Sequence, residues 1–183
     1  MIDEAAAQQV ISRLWDRGAT DQGSAWAVLD GARDDRVYAM VDSARYRRSC
    51  LYAGNLPWQL EMTAPYLVQL YPDDASTIHL VRTAWGNSWG IFLRADESAE
   101  QLRRHLRTFL RVTDYTGRRL VFRYYDPRVM RVYLPTCRPS ELRFVFGPIR
   151  YYLMEDEDPR TVLRYEFRSD KLEQGSFTIP VKG

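Results

Sequence analysis

Apolar residues recur every three to four positions at the start of the chain. Ala7, Val10, Ile11, Leu14 and Trp15 share one face of a predicted helix, and Gly18 stands where that helix would stop. The pattern then shifts to short continuous apolar runs. WAVLDG (26–31) predicts a buried strand closed by an Asp-Gly turn, 33–41 a short helix, GNLPW (54–58) a loop, and PYLVQLYP (65–72) a second strand bounded by prolines. Ser76 is positioned to cap a helix carrying Ile78, Val81 and Trp85, with Gly86 suited to a left-handed C-terminal position. GIFLRA (90–95) reads as a further strand.

The clearest element follows. Ser98 and Gln101 have the spacing of a capping box, ahead of Leu102, Leu106, Phe109 and Leu110 on one helical face. Arg103, Arg107 and Arg111 fall on another stripe of the same predicted helix. Gly117 turns the chain into RRLVFRYY (118–125), read as a strand with Leu120, Phe122 and Tyr124 on one side and Val121, Arg123 and Tyr125 on the other. Asp126 is placed as an N-cap and Pro127 at the first helical position, so a helix of about two turns is expected through Val129, Met130, Val132 and Tyr133. Ser140 is expected to cap another short helix, stopped by Gly147 and Pro148. RYYLM and TVLRYEF, around the acidic run at 155–158, predict a hairpin. The expected architecture is one α/β domain over residues 1–183, a mixed-sheet α/β sandwich with amphipathic helices and a C-terminal β-hairpin over 150–183.

Composition changes this picture in one place. Net charge is only +2 over 183 residues, yet 103–150 holds twelve arginines against Asp114, Asp126 and Glu141, a local net of +9. Interleaved with Tyr and Phe, that segment suits either a protein interface or a nucleic-acid surface. The first residues lack a basic start and a continuous apolar run, and no stretch reaches the length of a membrane span, so a cytoplasmic location is expected. Cys50 and Cys137 have neither metal nor disulfide-framework spacing.

Candidate chemistry is sparse. His79 and His105 sit inside predicted helices away from any metal-spaced motif, and the sequence carries no phosphate-cradling glycine motif or nucleophile elbow. The acidic run at 155–158 lacks the alternating ligands and glycine of a calcium loop and reads as a solvated turn. Arg123 lies next to residues that must be in the core, so it needs a carboxylate, and Asp126 is the nearest in sequence. Trp26 and Trp85 fit core positions; Trp58 and Trp89 fall in loops.

Read in chain order, WAVLDGAR, CLYAG, APYLVQL, AWGNSWGIFLRA, LRRHLRTFLRV, VFRYYDPRVMRVYLP and FVFGPI resemble the adaptor or effector-chaperone family of bacterial type VI secretion (Tap/Tec type), first catalogued as a domain of unknown function. The resemblance spans 26–149 and is most specific at 102–107 and 122–128. It implies a non-catalytic protein without cofactor that holds a toxic effector, often of PAAR or Rhs type, and helps load it onto the VgrG spike. The matching positions are Trp58, Pro65, Tyr66, Trp85, Gly86, Arg104, Arg107, Arg123, Tyr125, Asp126, Pro127, Arg128, Gly147 and Pro148. Trp58, Tyr66, Arg104, Arg107, Arg123, Tyr125 and Arg128 are the candidate partner-binding residues; Asp126, Pro127, Gly147 and Pro148 are the candidate structural ones. Many relatives run well past the shared region, whereas 34 residues follow Ile149 here, a departure that speaks against a large second lobe as the effector grip.

Overall fold

A computed structural model describes residues 1–15, 23–43 and 45–180. The elements run α1 (Glu4–Arg13), β1 (Ser24–Asp30), α2 (Asp35–Val41), β2 (Arg48–Cys50), α3 (Trp58–Met62), β3 (Pro65–Leu70), α4 (Ala75–Ala84) and β4 (Gly90–Ala95). They continue as α5 (Ala99–Thr108), β5 (Arg111–Thr113), β6 (Arg119–Val121), α6 (Pro127–Tyr133), a 3-10 turn (Leu134–Thr136), α7 (Pro139–Phe146), β7 (Ile149–Glu155), β8 (Thr161–Arg168) and β9 (Lys171–Thr178). Among the described residues seven strands form one sheet in the order β2-β3-β1-β4-β7-β8-β9, while β5 and β6 pair only with each other. Every strand pairing is antiparallel.

The α/β architecture follows from strand parity. Successive side chains point to opposite faces of a sheet, so a strand buried on both sides is apolar at every position. In β1, Ala25, Ala27 and Leu29 join one apolar cluster with α1, α2 and α4. Trp26 and Val28 join the other, built with Leu102 and Leu106 of α5, Met130 of α6, and Leu142, Val145 and Phe146 of α7. Helices thus cover both faces of the sheet. Among the described residues no helix is long and apolar enough to cross a membrane.

Several local expectations change. Gly18 lies outside the described residues; α1 closes earlier, with Leu14 as its C-cap. Asp74, not Ser76, caps α4 by accepting from the Ser76 N–H at 2.7 Å. Arg138, not Ser140, precedes α7, because Pro139 supplies the preset φ of a first turn. Trp58 opens a short helix rather than ending a loop. Trp89 is buried, its Nε1 donating to Asp34 at 3.2 Å. The C-terminal hairpin β7–β8 forms, and β9 extends it by one more strand. Glu155 is not part of a solvated turn: it is buried at the end of β7.

The capping box at Ser98 and Gln101 is formed, and Gly86 is left-handed at φ 81°. Gly147 has φ 47°, and a Cβ there would lie 2.3 Å from the His105 ring. That ring packs under the α7 terminus with a nitrogen 3.1 Å from the Val145 carbonyl, and burial pushes its pKa down. His105 is therefore an interhelical strut.

Candidate interaction surface

The largest departure from expectation is at 118–125. Only Arg119–Val121 is a strand, and it lies outside the main sheet. Tyr124 and Tyr125 are adjacent yet both buried in the same cluster, which extended backbone would forbid because neighbours there face opposite ways. The chain leaves the strand at Phe122 and turns inward. The Tyr124 ring meets Phe109 at 4.4 Å between centroids, and its hydroxyl donates to the Leu106 carbonyl at 3.0 Å.

That inward turn sets the position of Arg123. Its guanidinium grips Asp30 at the end of β1, with Nε 3.0 Å from Oδ2 and Nη2 closing on the same oxygen. Asp126, the partner expected from proximity in sequence, binds Arg128 instead: Arg128 N at 3.0 Å and Nε at 2.9 Å to Oδ1, Nη2 at 2.6 Å to Oδ2. Asp126 caps α6 as expected, with Pro127 in its first turn, so its two oxygens are already committed to Arg128. Asp30 is fully buried, and it also accepts from the Ala32 N–H at 3.0 Å. Burial drives its carboxyl pKa up, outweighing the opposing pull of Arg123 and the Ala32 N–H.

For Asp126, burial also acts to raise the pKa, but Arg128 and its backbone N–H, with Arg123 behind them, outweigh it and hold the carboxyl below its ordinary value. A depressed folded pKa adds stability above the unfolded value, lost as pH falls through the folded one. Asp126→Ala is expected to cost about 1–2 kcal/mol at neutral pH through loss of the cap. The deficit should narrow in acid, as read from denaturant melts at pH 7 and pH 3.

The candidate partner residues divide by exposure. Tyr66 is buried, its hydroxyl donating to the Glu61 carbonyl at 2.7 Å, and Tyr125 is 1% exposed; neither ring presents a surface. Both are candidates through the family resemblance, but in the structure each supplies bulk to the core. Arg123 and Arg128 are partly exposed clasps engaged with buried carboxylates. Trp58 is 64% exposed on α3 beside Leu60, and Arg104 stands in solvent paired with Glu100.

Arg103, Arg104, Arg107, Glu100 and Thr108 line an open groove of about 410 Å³ along α5. Arg103 is anchored, its Nε 2.8 Å from the Cys50 carbonyl. Arg111 does not extend this stripe, because α5 ends at Thr108 and Arg111 opens β5. Burial raises the pKa of both Cys50 and Cys137, which disfavours a reactive thiolate at either.

The β5–β6 ribbon was missed as a separate element. All six of its strand residues are exposed. Its tip is a tight turn in which Asp114 Oδ1 accepts from the Thr116 and Arg118 N–H groups, both at 2.9 Å, with Gly117 left-handed. Tyr115 at the tip is wholly exposed. The Thr-Asp-Tyr-Thr-Gly run at 113–117, flanked by two short β-prone segments, is the signal that could have revealed it.

No curated protein and no solved structure matches the chain. A family model described as a domain of unknown function (DUF4123) matches residues 25–143, from the second residue of β1 into α7, well over half the chain and including the Arg123 corner and the ribbon. By that match, the chain belongs to the DUF4123 family.

Proposed function

We propose that this protein is a non-catalytic adaptor that binds a type VI secretion effector inside the producing cell and helps load it onto the VgrG spike. The observation that carries this reading is the basic surface of α5, running directly into a ribbon that exposes Val112, Tyr115, Leu120 and Val121. Arginine with exposed aromatic and aliphatic side chains is the composition favoured where proteins meet. Trp58 and Leu60 on α3 and Phe144 on α7 add further exposed apolar area. The resemblance of the motifs in 102–107 and 122–128 to the adaptors of that secretion system supports the choice of partner.

The direct test is co-purification with the effector encoded nearby and with VgrG; recovery of neither, with both soluble, would refute the proposal. Arg107→Glu is expected to weaken capture about tenfold by putting like charge against an acidic partner. The melting temperature should be unchanged, since Arg107 lies on the groove and not in either core cluster.

Tyr115, fully exposed between Arg111, Arg118 and Arg119, favours a second reading as a nucleic-acid surface, where a base stacks on the ring and phosphates meet the arginines. Such binding falls steeply with salt, so retention on single-stranded DNA or RNA at two ionic strengths separates the readings. No retention at low salt removes the second.

A further inference from the structure

The ribbon has a property that follows from its register. Val112 lies opposite Leu120, and the flanking bonds run from Phe122 N to Leu110 O at 2.9 Å and from Asp114 N to Arg118 O at 3.0 Å. In an antiparallel pair, hydrogen-bonded residues alternate with residues whose N–H and C=O point away. Positions 110/122 and 114/118 are bonded, so 112/120 is too, and the backbone groups of Arg111, Thr113, Arg119 and Val121 face outward. Among the described residues neither strand has a second neighbour. A two-stranded ribbon solvated on both faces is marginally stable alone, and a third strand adds what it lacks.

We infer that the open edge of β6 accepts an extended segment of the partner protein as a third strand, and that this segment sets an acidic residue opposite Arg119 and apolar residues opposite Leu120 and Val121. This deepens the adaptor reading and rests on it for what the segment belongs to. The edge of β6 is preferred over that of β5 on side-chain content. β6 offers two exposed apolar residues, Leu120 at 45% and Val121 at 49%, beside one arginine, whereas β5 offers Val112 alone. Charge fixes the sign of the guest. Arg111, Arg118 and Arg119 stand against a single acid, Asp114, which is engaged with Arg118. Outward main-chain groups supply affinity in strand addition, and alternate side chains supply selectivity. Three-residue strands are too short to template uncontrolled edge pairing, so the ribbon stays solvent-exposed until a matching segment arrives.

The test uses the full chain and a fluorescein-labelled peptide with the core Thr-Val-Val-Glu-Thr, against a control with Lys in place of Glu, read by anisotropy. The Glu peptide is expected to bind at least fivefold tighter than the Lys control. Val121→Pro, which removes an outward donor where an edge strand tolerates proline, should abolish binding, while Thr113→Pro on the β5 edge should leave it intact. Arg119→Glu keeps the backbone and should reverse the preference toward the Lys peptide, so a misfolded proline variant does not decide the matter.

Equal binding of both peptides, or no binding to the parent chain, overturns the inference. A homodimer in sedimentation that Val121→Pro dissolves would place a second copy on the edge and likewise overturn it. Effector capture without peptide binding refutes the strand edge alone; peptide binding without effector capture refutes the adaptor reading and leaves the edge standing.

Discussion

Arg123→Met is expected to lower unfolding free energy by about 3 kcal/mol, the low end of the range for stripping one partner from a buried ion pair. The low end applies because the Arg123 side chain is 40% exposed and part of its interaction is already screened. The cost arises at the other partner: Asp30 is 1% exposed in its side chain and would keep only the Ala32 N–H. Its folded pKa, already raised by burial, would rise further without Arg123. A carboxyl whose folded pKa exceeds its unfolded value contributes stability at low pH and loses it as pH rises through the folded value. The deficit of Arg123→Met relative to the parent should therefore widen from pH 5 to pH 8 in urea melts. Asp30→Asn in the same background should restore much of the loss, since a neutral amide needs no counter-ion. A deficit that is flat with pH and unrelieved by Asp30→Asn would mean that Arg123 acts through packing, not through the pair.

Glu155→Ala is expected to cost about 2–3 kcal/mol, the scale of hydrogen bonds to a charged group with partners left behind. The Glu155 carboxylate accepts from the Gly86 N–H and, at 2.8 Å, from the Ser88 N–H, with the Ser88 hydroxyl at 3.1 Å. Ser88 sits at φ 53° and Gly86 at φ 81°, a turn whose N–H groups converge on one anion. Without the carboxylate, Ser88 loses the acceptor that helps to hold its left-handed backbone, a conformation that costs about 1–3 kcal/mol by itself. Trp85, whose Nε1 donates to the Pro159 carbonyl at 2.8 Å, ties the same turn to the β7–β8 connection. Near-UV circular dichroism of the variant should therefore change alongside its melting midpoint. Glu155→Gln keeps one acceptor and should recover about half of the loss. Full stability of Glu155→Ala would show that water satisfies the turn equally well.

Together these variants separate scaffold from surface along the arginine-rich stretch. Arg123 and Arg128 spend their guanidinium groups on Asp30 and Asp126, and Arg103 on the Cys50 carbonyl. Arg107 and Arg119 are the positions where a charge change should alter binding and leave melting alone. The corner at 122–128 is thus chiefly the anchor that ties the ribbon to the core. The exposed surface lies before it in the chain, on α5 and on β6.

Helices α1, α2 and α4 to α7, the buried strands β1, β3, β4, β7 and β8, the capping box of α5, the Asp-Pro start of α6 and the left-handed Gly86 were legible in the sequence, because each is set by residues within a few positions of one another. What tertiary structure alone decided were the partners. Arg123 reaches across 93 positions to Asp30, and Glu155 across 67 to Ser88; no local pattern encodes either choice, since both depend on which loops the fold brings to the ends of β1 and β7. Likewise, RRLVFRYY has the composition of a core strand. Only the packing of Tyr124 and Tyr125 beneath α5 forces the chain to leave strand geometry at Phe122, which strands Leu120 and Val121 in solvent. Local chemistry fixed most of the helices and the buried strands; burial of distant charges and rings fixed where the chain turns between them.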